Sequence, residues 1–231
     1  MIRNRVTGLG VCLVVVFSLL AGTAAHAGPW EDAMSAGSTA YKQGDFAAAE
    51  RSFRAAVAEA ERFGPYDPRL AASLTNLAAI HQARGAYDDA ERPLERALAI
   101  LEQAFGIENP RILPTLNNLA AVYQSQGKGA LAEAQYQRAL AIVEKAGGPE
   151  HPNVATILNN LGLIYLDEGR YADAEAAFRR SLAVLETSLG PEHPAVSQSL
   201  DNYARLLDRT GRESEAARMK ARAAAIRAKQ G

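Results

Sequence analysis

From residue 30 onward the apolar positions recur at intervals of three and four. Leu116, Leu119, Ala120 and Tyr123 follow i, i+3, i+4, i+7, and Ala132, Tyr136, Ala139 and Leu140 repeat the spacing on the segment that follows. That is the signature of helices with one buried face. No stretch alternates apolar and polar residues over a useful length, so no strand is expected.

The pattern returns with a period of 42 residues: Gly64, Gly106, Gly148 and Gly190 are spaced so, and likewise Pro68, Pro110, Pro152 and Pro194. Leu74, Leu116, Leu158 and Leu200 keep the same step, as do Asn76, Asn118, Asn160 and Asn202. Two more columns are Gly85, Gly127, Gly169, Gly211 and Ala90, Ala132, Ala174, Ala216. A looser copy, Gly44-Asp45-Phe46-Ala47-Ala48-Ala49-Glu50, precedes them at an offset of 41. A fixed period in this range marks a repeat architecture.

Each copy carries two breaks. In Gly148-Pro149-Glu150-His151-Pro152 the glycine ends one helix and the final proline opens the next, where its missing N–H costs nothing. Before that proline stand Asp67, Asn109, His151 or His193, the first two good N-caps. The second break is Gly85, Gly127, Gly169 or Gly211. The expected elements are five antiparallel helix pairs: 30–43 with 46–63, 68–84 with 87–104, 110–126 with 129–146, 152–168 with 171–188, and 194–210 with 213–229. Small residues mark the closest approach within each pair: Ala78 with Ala90, Ala120 with Ala132, Gly162 with Ala174, Ala204 with Ala216. Pro93, inside a second helix, predicts a kink.

The words Leu116-Asn117-Asn118-Leu119-Ala120, Leu158-Asn159-Asn160-Leu161-Gly162, Tyr171-Ala172-Asp173-Ala174-Glu175 and Gly190-Pro191-Glu192-His193-Pro194 resemble tetratricopeptide (TPR) repeats, most closely the 42-residue form of kinesin light chains. The resemblance covers about residues 31–213. It implies an all-α fold, a right-handed TPR superhelix (an α-α solenoid) of about five pairs over 28–231. The repeats fall at about 30–63, 68–105, 110–147, 152–189 and 194–229, the last degenerate and capping. Stability must then come from stacking pair on pair, since single helices of this length are marginal in water.

The first 27 residues differ in kind. Arg3 and Arg5 precede an apolar run from Leu9 to Leu20, and Ala25-His26-Ala27 gives a small-residue cleavage site, so a signal peptide over 1–27 is expected, leaving Gly28 as the new terminus. The alternative is an uncleaved N-terminal membrane anchor, since Val6 to Ala25 is long enough to span a bilayer. The expected location is therefore exported, periplasmic or secreted, with no stable membrane insertion once the leader is removed.

Charge and chemistry narrow the function by exclusion. The 25 Lys and Arg, less Arg3 and Arg5, leave 23 against 26 acids, a balance unsuited to coating nucleic acid. The single cysteine, Cys12, lies in the leader, so the body holds no thiol nucleophile and no cysteine-based zinc site. No nucleophile-elbow, zincin, Walker, dinucleotide or calcium-loop motif occurs. His81 stands where Tyr123 and Tyr165 stand, and His151 and His193 are turn residues, so no catalytic residue, metal or cofactor is expected. The basic run Arg218, Lys220, Arg222, Arg227, Lys229 reads as a solvated capping helix, with an acidic or lipid contact as its alternative.

By the resemblance, the first helix of each pair lines a concave groove. The stripe offset from the buried leucines is Thr75, Ala79, Gln82; Asn117, Ala121, Gln124; Asn159, Leu163, Asp167; and Asp201, Arg205, Asp208. Its amides offer donors and acceptors suited to an extended peptide backbone. Asn118 and Asn160 turn toward the neighbouring repeat and are expected to make structural hydrogen bonds, although the kinesin-light-chain resemblance keeps them as ligand contacts. The candidate peptide-binding residues are Gln82, Asn117, Asn118, Gln124, Asn159, Asn160 and Arg205. The expected function is a non-catalytic interaction scaffold or adaptor of the cell envelope holding a segment of a partner protein. The alternative is a structural, self-associating module, a homo-oligomer within a larger envelope complex.

Overall fold

A computed structural model describes residues 28–230, so the expected leader lies outside the described residues. All regular structure in that span is helical. The chain divides into two units, one running through Gly106 and the other starting at Ile107.

The first unit holds α1 (Pro29–Lys42), α2 (Phe46–Glu61), α3 (Pro68–Ala83) and α4 (Tyr87–Phe105). Helices pack as the pairs α1 with α2 and α3 with α4, and α2 joins the pairs by packing on α3. Trp30 and Met34 of α1 reach across to α3, where the indole N–H donates to Ser73 Oγ at 2.9 Å. Phe53, Leu70, Ile80 and Leu94 are fully enclosed. The helix α4 runs unbroken across Pro93.

The second unit holds α5 (Leu113–Ser125), α6 (Gly129–Gly147), α7 (Pro152–Asp167), α8 (Tyr171–Leu189), α9 (Pro194–Arg209) and α10 (Glu213–Ala228). The pairs are α5 with α6, α7 with α8 and α9 with α10, joined by α6 on α7 and α8 on α9, while α9 also touches α7. The expected single helix from 110 instead begins as a 3-10 turn, Pro110–Ile112. Pro114 explains this, because it has no N–H to give the Pro110 carbonyl and so the α-helical ladder starts only at Leu113.

The glycine breaks work as conformation requires. Gly85, Gly127, Gly169 and Gly211 take φ between 71° and 75°, the left-handed region that ends a helix without a Cβ penalty. The other break combines a positive-φ glycine with a capping side chain. Asp67 and Asn109 accept from the backbone N–H two residues on, at 2.9 and 3.0 Å. His151 and His193 do the same through Nδ1, at 3.1 and 3.2 Å, so the two histidines also serve as N-caps. All the alanines expected at closest approach within the pairs are fully buried, and Gly162 is buried with them.

Candidate functional site

In the second unit the first helices α5, α7 and α9 present the amide stripe. Asn117, Gln124 and Asn159 are half-buried, and three of their polar atoms are enclosed yet make no hydrogen bond: Asn117 Oδ1, Asn159 Oδ1 and Gln124 Nε2. A buried amide atom without a partner costs about 1–3 kcal/mol. The three atoms lie on the successive first helices α5 and α7.

The second asparagine of each word behaves differently. Asn160 shares a hydrogen bond with the hydroxyl of Tyr136, a residue 2% exposed on the preceding pair. Burial pushes that phenol above its ordinary value, and the Asn160 bond pulls it back. Asn118 is buried at the equivalent place on α5. Asn160 thus ties its repeat to the preceding one.

Further along, Arg205 projects from α9, exposed and without an ion pair among the described residues. Its stripe neighbours are engaged: Asp201 pairs with Arg227 at 2.6 Å and Asp208 with Lys220 at 2.7 Å. The expectation of an open stripe does not extend to every member. Ala121 and Leu163 are buried. In the first unit Thr75 is 2% and Gln82 8% exposed, and every residue from Ser73 to Gln82 is enclosed. The cause is the small side chains of α3, Ala71, Ser73, Ala78 and Ala79, which let neighbouring elements approach closely, with Trp30 seated over Ser73. Gln82 is therefore enclosed where an open stripe residue was expected.

Two features escaped the sequence reading. The first is a clasp between successive pairs. Glu133 on α6 accepts from the Tyr165 hydroxyl at 3.0 Å and from Arg170 at 2.7 Å, while the Arg170 guanidinium lies 4.2 Å from the centre of the Tyr165 ring. One repeat on, Glu175 accepts from Tyr203 at 2.8 Å and from Arg212 at 2.9 Å. Arg212, then Tyr203, hold the Glu175 carboxyl below the ordinary glutamate value. The pairs Glu133/Glu175 and Arg170/Arg212 keep the 42-residue step and were legible; Tyr203 stands one helical turn before the column of Tyr165 and was not.

The second is the fate of the basic run on α10. Its partners lie on other elements: Arg222 meets Glu186 at 2.5 Å, Lys229 meets Glu192, and Lys220 and Arg227 meet the α9 acids already named. Four of the five cations of the run are thus paired. Among the described residues no helix is long and apolar enough to cross a membrane, and no three His, Cys, Asp or Glu side chains are gathered as metal ligands.

Antiparallel helix pairs repeated in tandem, closed by left-handed glycines and joined within each unit by side-chain hydrogen bonds, define a helical-repeat protein. The chain belongs to the tetratricopeptide-repeat family, whose family model matches residues 31–103, 111–187 and 155–229. Members of that family are generally non-catalytic interaction scaffolds.

Among solved structures, BtubC (BKLC) from P. vanneervenii is 27% identical, with a TM-score of 0.77 over 87% of this chain and 80% of its own. A kinesin-light-chain-like protein of Podosopora anserina with nearly identical TPR-like repeats is 25% identical, with a TM-score of 0.76 over 89% and 99%. MamA, at 17% identity and a TM-score of 0.61 over 87% and 93%, shares the fold alone. No curated protein matches the chain.

Proposed function

We propose that this protein is a scaffold of the cell envelope that binds an extended segment of a partner protein on the amide-bearing first helices of its second unit. The observation that carries the reading is the trio of enclosed, unpartnered amide atoms on Asn117, Gln124 and Asn159. A peptide backbone supplies an N–H and a carbonyl at each residue, which is the complement these amides lack. Arg205 adds an unpaired cation on α9, suited to an acidic side chain or terminus of the same segment. The envelope assignment rests on Arg3, Arg5, the apolar run Leu9–Leu20 and Ala25-His26-Ala27.

The test is capture of partners from an envelope extract by the full chain and by Asn117→Ala with Asn159→Ala. Loss of one hydrogen bond at each site, about 1 kcal/mol apiece, predicts a roughly 30-fold weakening. Equal capture by both proteins refutes the groove reading. Sequencing the N-terminus of the exported protein checks the leader: cleavage leaves Gly28 first, whereas an intact Met1 with membrane retention supports the anchor. The rival, a self-associating structural module, predicts a concentration-dependent rise in mass by light scattering, with capture unaffected by the two alanines.

A further inference from the structure

The second unit has a groove where α7 lies between α6 and α8, lined by Glu133, Leu158, Leu161, Tyr165 and Arg170, with a volume of about 380 Å3. Two repeats earlier, where α3 lies between α2 and α4, the corresponding cleft measures about 620 Å3 and is lined by Glu50, Arg54, His81, Arg84 and Arg92. The difference follows from the substitutions between equivalent positions. Tyr165 is replaced by His81 and Arg170 by Ala86, so the ring and guanidinium that plug the later groove are absent. Gln137, Glu168 and Ala176 are replaced by Arg54, Arg84 and Arg92, so three guanidiniums enter as one leaves.

These cations are arranged around one carboxylate. Glu50 accepts from Arg54 and from Arg84, each at 2.7 Å, which fixes two guanidiniums from different helices while using a fraction of their five N–H donors each. Arg92 makes no ion pair among the described residues. His81, 9% exposed, forms part of the wall of the cleft. The remaining acids, Asp88 and Asp89, are exposed. Two of the three guanidiniums share Glu50, and Arg92 adds donors that no carboxylate takes.

We propose that this cleft is an oxyanion site, taking the carboxylate or phosphate-ester group of a ligand between Arg54, Arg84 and Arg92 and against His81. Planar guanidiniums match both groups through paired N–H donors, and a preset carboxylate that orients two of them lowers the cost of binding. The site shares no residue with the amide-bearing helices, so either assignment can fail while the other stands.

The test follows the His81 imidazole resonances of the full chain by NMR during separate titrations with inorganic phosphate and succinate, with chloride holding the ionic strength constant. A saturable His81 shift is expected with at least one of them, weakened at least tenfold in Arg92→Gln and in Arg84→Gln, and unchanged in Arg180→Gln of the second unit. Response to phosphate alone identifies an ester group, and response to succinate alone identifies a carboxylate. No saturable shift with either anion, an equal shift in Arg92→Gln, or a His81 response to guanidinium chloride at matched ionic strength in place of the anions overturns the proposal.

Discussion

Gly162 on α7 tests whether these repeats are packed by matched pairs. A Cβ built there lies 2.6, 2.8 and 2.9 Å from three ring atoms of Phe178, a side chain with no exposed surface. Gly37 stands in the same relation to Phe53, at 2.6, 2.7 and 2.9 Å. The other three repeats carry alanine at this position, Ala78, Ala120 and Ala204, and none of them has phenylalanine opposite: the partners are Leu94, Tyr136 and Lys220. Glycine stands where the facing phenylalanine lies within reach of a Cβ, against the helix propensity of the position, whereas Ala120 accommodates the Tyr136 ring.

Two opposing terms set the size of the effect. Glycine to alanine inside a helix gains about 1 kcal/mol, whereas forcing a methyl into an enclosed ring costs about 1–3 kcal/mol. Gly162→Ala should therefore destabilise by up to about 2 kcal/mol. Phe178→Leu alone loses ring contacts and leaves a gap beside the glycine, roughly 1–2 kcal/mol. In the double variant the new methyl fills that gap, reproducing the Ala78 and Leu94 combination that the first unit already uses. The double variant should then be more stable than the two single losses predict by about 1–3 kcal/mol. Urea unfolding of the four proteins gives the coupling, provided the slopes agree. Additivity within about 0.5 kcal/mol refutes the matched-pair account.

Four further outcomes are expected. Asn159→Ala removes an enclosed oxygen with no bond to lose and should leave the urea midpoint unchanged or raised, whereas Asn160→Ala orphans the buried Tyr136 hydroxyl and should cost about 1–3 kcal/mol; equal losses sink the distinction. Because the Glu175 carboxyl is held below its ordinary value of 4.5, its stabilisation is present above that value and drains away as pH falls through the lowered one. Glu175→Gln should thus lower the melting temperature at neutral pH and flatten its fall below pH 4.5, and parallel acid limbs in the two proteins contradict this. His151→Asp keeps the cap geometry of Asp67 and adds a charge suited to a helix start, so thermal melting should show a gain of about 0.5–1 kcal/mol. Ala132→Phe overpacks a fully enclosed junction and should cost about 1–3 kcal/mol in the same assay, an unchanged midpoint being the contrary result.

Helix pairs were legible because their signals are local. A glycine at each turn and a proline at each helix start are set by backbone sterics and need no tertiary context, and the expected boundaries fall within about two residues of the observed ones wherever those signals stand alone. Pro114 is the exception, since its effect depends on the carbonyl of Pro110, four residues back. The amide stripe was legible only in its spacing. Whether a stripe residue is reachable depends on what crosses over it, and nothing in the sequence around Gln82 announces that α3 is enclosed for ten residues in succession. Likewise the α10 cations read as unmatched in one dimension, because Glu186, Glu192, Asp201 and Asp208 come to them from other elements.

Departures from the period therefore carry different information from the period itself. Where a column changes and a neighbour compensates, the change is structural: Leu207 fills the Tyr165 position, yet Tyr203 reaches Glu175 from one turn earlier and the clasp survives with Arg212. Where columns change together without such compensation, space and unspent polarity remain. At His81 and Ala86 both the phenol ring and the guanidinium of the clasp are gone, and Arg84 takes over only the bond to Glu50. Arginine at three positions around the vacated space, Arg54, Arg84 and Arg92, is what makes the cleft a candidate oxyanion site in place of a clasp.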